Sequence, residues 1–437
     1  MATKNNKNSI ALLGCGNLGQ GLYKLYELKK TDIFKQRGIQ LDIKHILIKH
    51  PHFKRDKIIP KEKLTDNINT MLNDPSINIV IDTIGGIEPT YGIIKKFMQK
   101  GCHIISANRT LLVHKLYDLF ELAREKNIHM KFDAALIGGI STIRTIKREL
   151  PGVKILSIWG IISGSANFIL SEMTRTKKSL KEVLKSLSNQ DLLESKILID
   201  YEGSETAQKL ALIAAIACGV KVNYLHIYAV GISQITSFDI QCAEMFGYEF
   251  KLIAIIKNDP KNIELRIHPI LIPKKHPLTQ VKDDYNAFFI QTDIIGELMF
   301  YSKGTGIYPI ANTIIRDMID IAEEINTSSL NLFEFPTWNE KSILPIDSIQ
   351  SGYYLRFRCL DMPGVIGKIT TILGEHNINI SSAHASLADN YRNKKTGFVH
   401  IFIKKACEKD ILSSLKKIKK IDIILGKITY YRILNEV

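Results

Sequence analysis

The sequence predicts an α/β protein with a doubly wound parallel sheet at its N-terminal end and a small βαββαβ sandwich at its C-terminal end. Three observations carry this. The stretch SIALLGCGNLGQGLYKLYELKK is an apolar strand, a glycine turn and a segment with Leu18, Leu22, Leu25 and Leu28 at helical spacing. Short apolar strands then alternate with helical stretches up to about residue 133, the pattern of a parallel sheet. The last block runs strand, turn-helix, strand, strand, helix, strand, which gives a ferredoxin-like sandwich.

Taken in order, the further strands of the first block are LDIKHILIKH, INIVIDTIGG and HIISAN, with TYGIIKKFMQKG as a helix between the last two. Residues 1–133 are therefore expected to form a Rossmann-type domain. Over 134–310, strands such as ILSIWGIISG and ELRIHPILI mix with longer helices, including EGSETAQKLALIAAIACG, and predict an α+β catalytic and dimerisation domain. The stretch ANTIIRDMIDIAEEI, residues 311–325, reads as a helix packing back on the first domain. A polar, proline-containing linker spans 326–350. Residues 351–437 carry the final block: GYYLRFRCL, DMPGVIGKITTILGEHN, INISSAHASL, GFVHIFIK, EKDILSSLKKIKK and IILGKITYYRIL.

Composition narrows the functional classes. A chain of 437 residues with 45% hydrophobic and 24% charged content is globular and long enough for several domains. The net charge of +15 is spread along the whole chain, so it reads as solvated faces and excludes a nucleic-acid stripe. No run of 18 apolar residues and no signal-like h-region appears, so no membrane association and a cytoplasmic location are expected. The six cysteines lack CxxC or zinc spacing and read as reduced thiols.

Gly14-x-Gly16-x-x-Gly19 follows a strand and opens a helix. Such glycines allow a tight turn and close backbone approach to a pyrophosphate, which the helix N-terminus stabilises, so Gly14, Gly16, Asn17, Leu18 and Gly19 are the first cofactor-binding candidates. The second strand lacks the acidic residue that would hold a ribose hydroxyl. It runs instead into Lys49, His50, Lys54 and Arg55, which suit a 2′-phosphate and favour NADP, with NAD as the alternative. In YEGSETAQKLAL, Glu202, Glu205 and Lys209 share a helix face. Read alone they are a surface ion-pair set; read as a site, a lysine beside carboxylates holds a substrate and passes a proton.

Several long segments, LLGCGNLGQG, DTIGGIEP, SANR, DAALIGGIS, SGSANFIL, EGSETAQKLA, RIHPILIPKKHPL, GELMFYSKGTG and DMPGVIGKITTILGEHNINI, resemble homoserine dehydrogenase followed by an ACT regulatory module. The resemblance implies NAD(P)-dependent interconversion of L-aspartate 4-semialdehyde and L-homoserine in threonine, methionine and isoleucine biosynthesis. It implies Lys209 and Arg109 as catalytic residues, and Glu194, Asp200 and Glu205 as substrate-binding carboxylates. Lys49, Gly85, Gly86, Ser106, Asn108 and Gly306 join the cofactor site. A monovalent cation would be held by Asp133, Leu136, Gly138 and Ile140. An effector, threonine by resemblance, would sit at Gly364, Val365 and Ile366, with Asn377 reaching it across a paired ACT dimer, and the assembly would be a homodimer or homotetramer.

The chain departs from the family pattern around the substrate. Arg109 stands where lysine is usual, Ser141 where proline is usual, and Lys196 and Ile197 replace an Asp-Pro pair after Glu194. Arginine keeps its charge but cannot release a proton at neutral pH. Two other readings follow from these substitutions: a catalytically weakened homologue acting as a regulatory amino-acid-binding protein, and a related dehydrogenase with an altered substrate.

Overall fold

The computed structural model describes residues 7–188, 202–304, 306–327, 338–391 and 394–434. The chain starts with β1 (Lys7–Leu13), α1 (Asn17–Arg37), β2 (Gln40–Leu47), β3 (Leu64–Thr65), α2 (Ile68–Leu72), β4 (Ile77–Asp82) and α3 (Thr90–Gln99). There follow β5 (His103–Ser106), α4 (Arg109–Glu125), β6 (Met130–Lys131), α5 (Thr142–Arg144), β7 (Ile155–Ile161), α6 (Gly164–Thr176), α7 (Leu180–Ser188) and α8 (Ser204–Cys218). Next are β8 (Tyr228–Ala229), α9 (Ser237–Met245), β9 (Tyr248–Asn258), β10 (Asn262–Pro273), β11 (Tyr285–Thr292), β12 (Glu297–Lys303) and α10 (Ile307–Thr327). The chain closes with β13 (Ser342–Ile343), β14 (Gln350–Leu360), α11 (Val365–Glu375), β15 (Ile380–Tyr391), β16 (Lys394–Cys407), α12 (Glu408–Ile418) and β17 (Ile424–Ile433). Two compact units result, one drawn from Met1–Leu156, Glu205–Leu225 and Asp284–Lys341, the other from Ser157–Ser204, His226–Asp283 and Ser342–Val437.

In the first unit the sheet order is β3-β2-β1-β4-β5-β6 and every pair is parallel, the doubly wound arrangement. Ile10 to Leu13 and Ile79 to Ile81 are fully buried, as a parallel strand covered on both faces requires. Helix α1 buries Leu22, Tyr23, Tyr26 and Ile33 against this sheet and ends at Gly38, whose φ of +66° closes the last turn. Leu28, placed on the apolar stripe by its spacing, is instead 70% exposed. Six residues beyond Leu22 turn the helix by about 240°, which carries Leu28 off the buried face. Ala311, Ile314, Ile315, Met318, Ile321 and Ala322 of α10 recur at helical spacing and share one core with α1 and the strands.

In the second unit the strands follow the path β7-β9-β10-β17-β14-β16-β15. Within it, β17-β14-β16-β15 is antiparallel throughout, and with α11 and α12 it forms the ferredoxin-like sandwich. Its core is Tyr353, Leu355, Phe357, Ile369, Leu373, Ile401, Ile403, Ile411 and Ile418 among others. The sandwich is not a separate bead on the chain, because β17 also pairs in parallel with β10, Ile270 opposite Arg432 and Leu271 opposite Ile433.

That seam buries charge. Arg266, only 1% exposed, donates from Nε to Glu264 Oε1 at 2.6 Å and from Nη1 to His268 Nε2 at 2.7 Å. Burial drives the His268 imidazole well below its ordinary pKa, so it is neutral. Its Nδ1–H donates to the Pro269 carbonyl at 3.0 Å, leaving Nε2 to accept from Arg266. Arg432 grips Glu408 with two bonds, 2.8 Å from Nε and 2.6 Å from Nη2, and the Tyr353 hydroxyl donates to the same carboxylate at 2.6 Å.

Glu408→Ala would leave the Arg432 guanidinium buried without its carboxylate, an expected loss of about 3–5 kcal/mol. Urea unfolding followed by circular dichroism measures it. A midpoint equal to that of the parent would show that the seam does not depend on this pair.

Candidate active site

The turn between β1 and α1 is built around Thr83. Its hydroxyl donates to the carbonyls of Leu13 and Gly14 at 3.0 and 3.1 Å, and a Cβ on Gly14 would come within 3.0 Å of that same oxygen. Gly14 also has φ +103°, a conformation side chains disfavour. A Cβ on Gly19 would lie 2.3 Å from the Gly14 carbonyl, so α1 can approach the turn only with glycine there. Around Gly16, by contrast, the space is open within 4 Å, and the first turn of α1 carries no acidic side chain and no side-chain cap. An open helix N-terminus with nothing anionic in its first turn fits a dinucleotide pyrophosphate. Beyond β2, Lys49 is exposed. Arg55 donates to the carbonyls of His50 and Phe53 at 2.9 and 2.8 Å, and Gln20 of α1 accepts from the Asp56 N–H at 2.9 Å. The basic loop is thereby tied to the glycine turn.

A second set of contacts starts from Asp82, the last residue of β4. Burial raises the pKa of its carboxyl, opposed by bonds from the Ile84 N–H and the Ser106 hydroxyl, each 3.0 Å long. The Ser106 oxygen accepts from the Asn108 N–H at 3.1 Å. Asn108 then caps α4, its Oδ1 accepting from the Leu111 N–H at 3.2 Å, while its Nδ2 donates to the Gly86 carbonyl at 2.7 Å. Gly85 and Gly86, with φ of +86° and +74°, carry the chain across this point.

Arg109 is the first residue of α4, and its direction follows from that cap. Its Nη2 lies 2.9 Å from Glu205 Oε2 and its Nε donates to Gln208 Oε1 at 3.3 Å. Glu205 sits in the first turn of α8, where a carboxylate is favoured by the helix dipole. Lys209, half-buried, stands one turn further along the same face. The Tyr117 hydroxyl of α4 accepts from the Val222 N–H at 2.7 Å, a second tie between α4 and the segment following α8. Glu202 is exposed in the turn before α8 and outside this set. Glu194 and Asp200, with Lys196 and Ile197, lie outside the described residues.

Asp82, Thr83 and Gln208 were not singled out by sequence reasoning. Thr83 and Asp82 belong to the conspicuous DTIGG segment, which could have drawn attention to them. Gln208 gives no signal beyond its place next to Lys209. Gly306, with φ +110°, lies just before α10.

The segment 133–140 is bonded in part within the chain. Asp133 is 3% exposed; its Oδ1 accepts from the Ile143 N–H at 2.7 Å and its Oδ2 is 3.5 Å from Nη2 of Arg316. The Gly138 carbonyl accepts from the Ser302 hydroxyl at 3.1 Å, and the Ile140 carbonyl from the Thr142 N–H at 2.9 Å. One oxygen of the carboxylate and two of the carbonyls, expected as ligands with Leu136, thus each accept a bond from the chain itself, while Arg316 faces the other carboxylate oxygen as an ion pair, its Nε and Nη2 without a hydrogen-bond acceptor among the described residues.

In the ACT sandwich, Gly364, Val365 and Ile366 line a cleft of about 320 Å³ with Cys359, Met362 and Leu387. Asn377, read from sequence as opening the next strand, instead has φ +56° in the turn after α11, and β15 begins only at Ile380. Asparagine tolerates this left-handed conformation and stops the helix. It therefore lies at the opposite end of α11 from Gly364 within one chain.

Comparison with known proteins agrees with this geometry. Residues 14–133 match the family model described as homoserine dehydrogenase, NAD binding domain; residues 142–319 match homoserine dehydrogenase; residues 353–422 match the ACT domain. The homoserine dehydrogenase of Bacillus subtilis is 32% identical over 371 residues, 85% of this chain and 86% of that one. That of Neisseria gonorrhoeae is 31% identical over 429 residues, 97% and 98% of the two chains. The crystal structure of a homoserine dehydrogenase from Thiobacillus denitrificans superposes with a TM-score of 0.89 at 29% identity, covering 98% of each chain. With a glycine turn shaped for a dinucleotide, a basic residue held over a carboxylate-bearing helix, and this similarity along nearly its whole length, the chain belongs to the homoserine dehydrogenase family of NAD(P)-dependent oxidoreductases.

Proposed function

We propose that the Arg109, Glu205 and Lys209 cluster carries the interconversion of L-aspartate 4-semialdehyde and L-homoserine, within threonine, methionine and isoleucine biosynthesis. The observation that supports it is the two-pronged hold of Glu205 and Gln208 on Arg109, beside Lys209. When bound, a reduced nicotinamide supplies hydride to the aldehyde carbon. The oxygen of that aldehyde gains charge as the hydride arrives, and a fixed guanidinium stabilises it without reorganising. Arg109 releases no proton, so the proton that completes the alcohol comes from the Lys209 ammonium, which solvent recharges. Glu205 both anchors Arg109 and offers a carboxylate to the substrate amino group. Glu194 and Asp200 are assigned to substrate binding on the resemblance alone.

NADP is the preferred cofactor in this reading. Its support is the lack of a carboxylate at the end of β2 and the exposed Lys49, His50 and Lys54 beyond it. The cleft at Gly364 to Ile366 is assigned to a feedback effector, threonine, received by backbone N–H groups at the start of α11. We also assign a homodimer or homotetramer, with Asn377 meeting the effector across a pair of sandwiches, and a cytoplasmic location. The latter accords with free thiols among all six cysteines and with no described helix long and apolar enough to cross a membrane.

Homoserine oxidation with NADP and NAD in parallel tests the assignment. Lys209→Ala is expected to lower kcat/KM by about 10²–10⁴, and Arg109→Ala by about 10²–10³. A folded, cofactor-binding parent protein with no such activity would sink the proposal, and an unchanged Lys209→Ala would remove the proton donor from it.

Lys49→Glu should raise KM for NADP by about tenfold, the equivalent of 1.4 kcal/mol, and leave KM for NAD in place. A parent enzyme with higher kcat/KM for NAD would overturn the cofactor preference.

Threonine is expected to inhibit the parent enzyme and to lose potency in Gly364→Val, which forces a branched side chain into φ +81° at the mouth of the cleft. The same inhibition curve for both proteins would move the effector elsewhere.

A further inference from the structure

One face of α10 carries Arg316, Asp317, Asp320 and Glu324, and all four are turned toward the segment from β6 to residue 149. Lys131 pairs with Glu324 at 3.1 Å and Arg144 with Asp320 at 3.2 Å. Asp133 and Asp317, 3% and 2% exposed, face Arg316. One oxygen of Asp317 has no hydrogen-bond donor among the described residues. Two buried carboxylates side by side need a compensating positive charge.

Arg316 supplies it from within the chain. Its Nη2 is 3.5 Å from Asp133 Oδ2, and its Nη1 donates to the hydroxyl of Ser141, the residue that follows the 133–140 segment. A guanidinium is planar, permanently charged and offers five donors, so it can neutralise a carboxylate and bond a neighbouring oxygen together. A monovalent metal ion would have to take the same carboxylate while two of the loop's carbonyls stay bonded to Ser302 and Thr142.

We propose that the Arg316 guanidinium is a covalently attached replacement for a monovalent cation in the 133–141 loop, so that folding and cofactor binding need neither potassium nor sodium. The inference rests on the homoserine dehydrogenase reading only in that the resemblance places an ion in this loop. Its mark is a specific one: the loop's order is independent of the salt's cation at fixed ionic strength.

The test measures the thermal unfolding midpoint and the NADPH dissociation constant of the full chain in potassium, sodium and tetramethylammonium chloride at equal ionic strength. The parent protein should give the same values in all three. Arg316→Ala should lower the midpoint in tetramethylammonium and regain about 2–4 °C, saturably, as potassium or sodium is added. Arg316→Lys, which keeps a charge at the site, should remain indifferent to the cation and guards against an alanine variant too unstable to purify. A saturable response of the parent protein to potassium or sodium would overturn the proposal, as would a folded Arg316→Ala with none. Neither readout involves turnover, so an inactive protein would count against the catalytic assignment and leave this one standing.

Discussion

The buried Asp82 carboxylate is the contact on which the placement of Arg109 depends. It joins the ends of β4 and β5 through the Ser106 hydroxyl and turns the chain after β4 through the Ile84 N–H. Each member of the chain Asp82, Ser106, Asn108 satisfies the next, and in a buried setting such a network is rigid because any broken link leaves an unpaired polar group. Its last link is a helix cap. The start of α4 is fixed by it, and with that start the position of Arg109, so the guanidinium reaches Glu205 and Gln208 of α8 from a defined origin. The same Asn108 side chain holds the Gly86 carbonyl, which sets the path of the two glycines expected to border the cofactor.

Charge is used inside this protein more than its fold class requires. In the first unit α10 presents Glu324 and Asp320 to Lys131 and Arg144, and its Arg316 to Asp133. In the second, the β10–β17 seam stacks Glu264, Arg266 and His268 beside Arg432 and Glu408. Buried ion pairs contribute little net stability against apolar residues of the same volume, but they penalise any register in which a partner is missing. Two parallel pairings at the seam would be a weak junction on backbone bonds alone. With the guanidinium of Arg432 bonded to Glu408 at the first residue of α12, a slip of β17 would strand both charges.

This junction also ties the sandwich to the rest of its unit. A sandwich hung on a linker could respond to an effector without consequence for the rest of the unit. Here β17 belongs to both the sandwich and the strand path through β10, and Arg356 of β14 bonds Asp239, the residue that completes the capping box of α9. A shift of β14 or β17 therefore acts directly on β10 and α9.

Much of this was legible in the amino-acid order. The glycines at 14, 16 and 19 announced the turn because only glycine tolerates the contacts at 14 and 19, and the period of the apolar residues distinguished α10 and the six elements of the sandwich. Glu205 and Lys209 shared a helix face that read equally as a surface ion-pair set, and only the family resemblance singled them out together with Arg109. The pairing of Arg109 was not legible, since Arg109 and Gln208 are separated by 99 positions and no local pattern encodes which distant group a guanidinium meets. Asn377 was misplaced for a related reason: an asparagine between a helix and a strand is compatible with either, and only the backbone decides. By itself the sequence determined most of the local states, the fold class and the family, because periodicity and glycine placement act over a few residues. The tertiary structure alone decided that Arg316 sits on Asp133, that β17 seals onto β10 and that Asp82 governs Arg109, because buried charges choose partners by proximity in space.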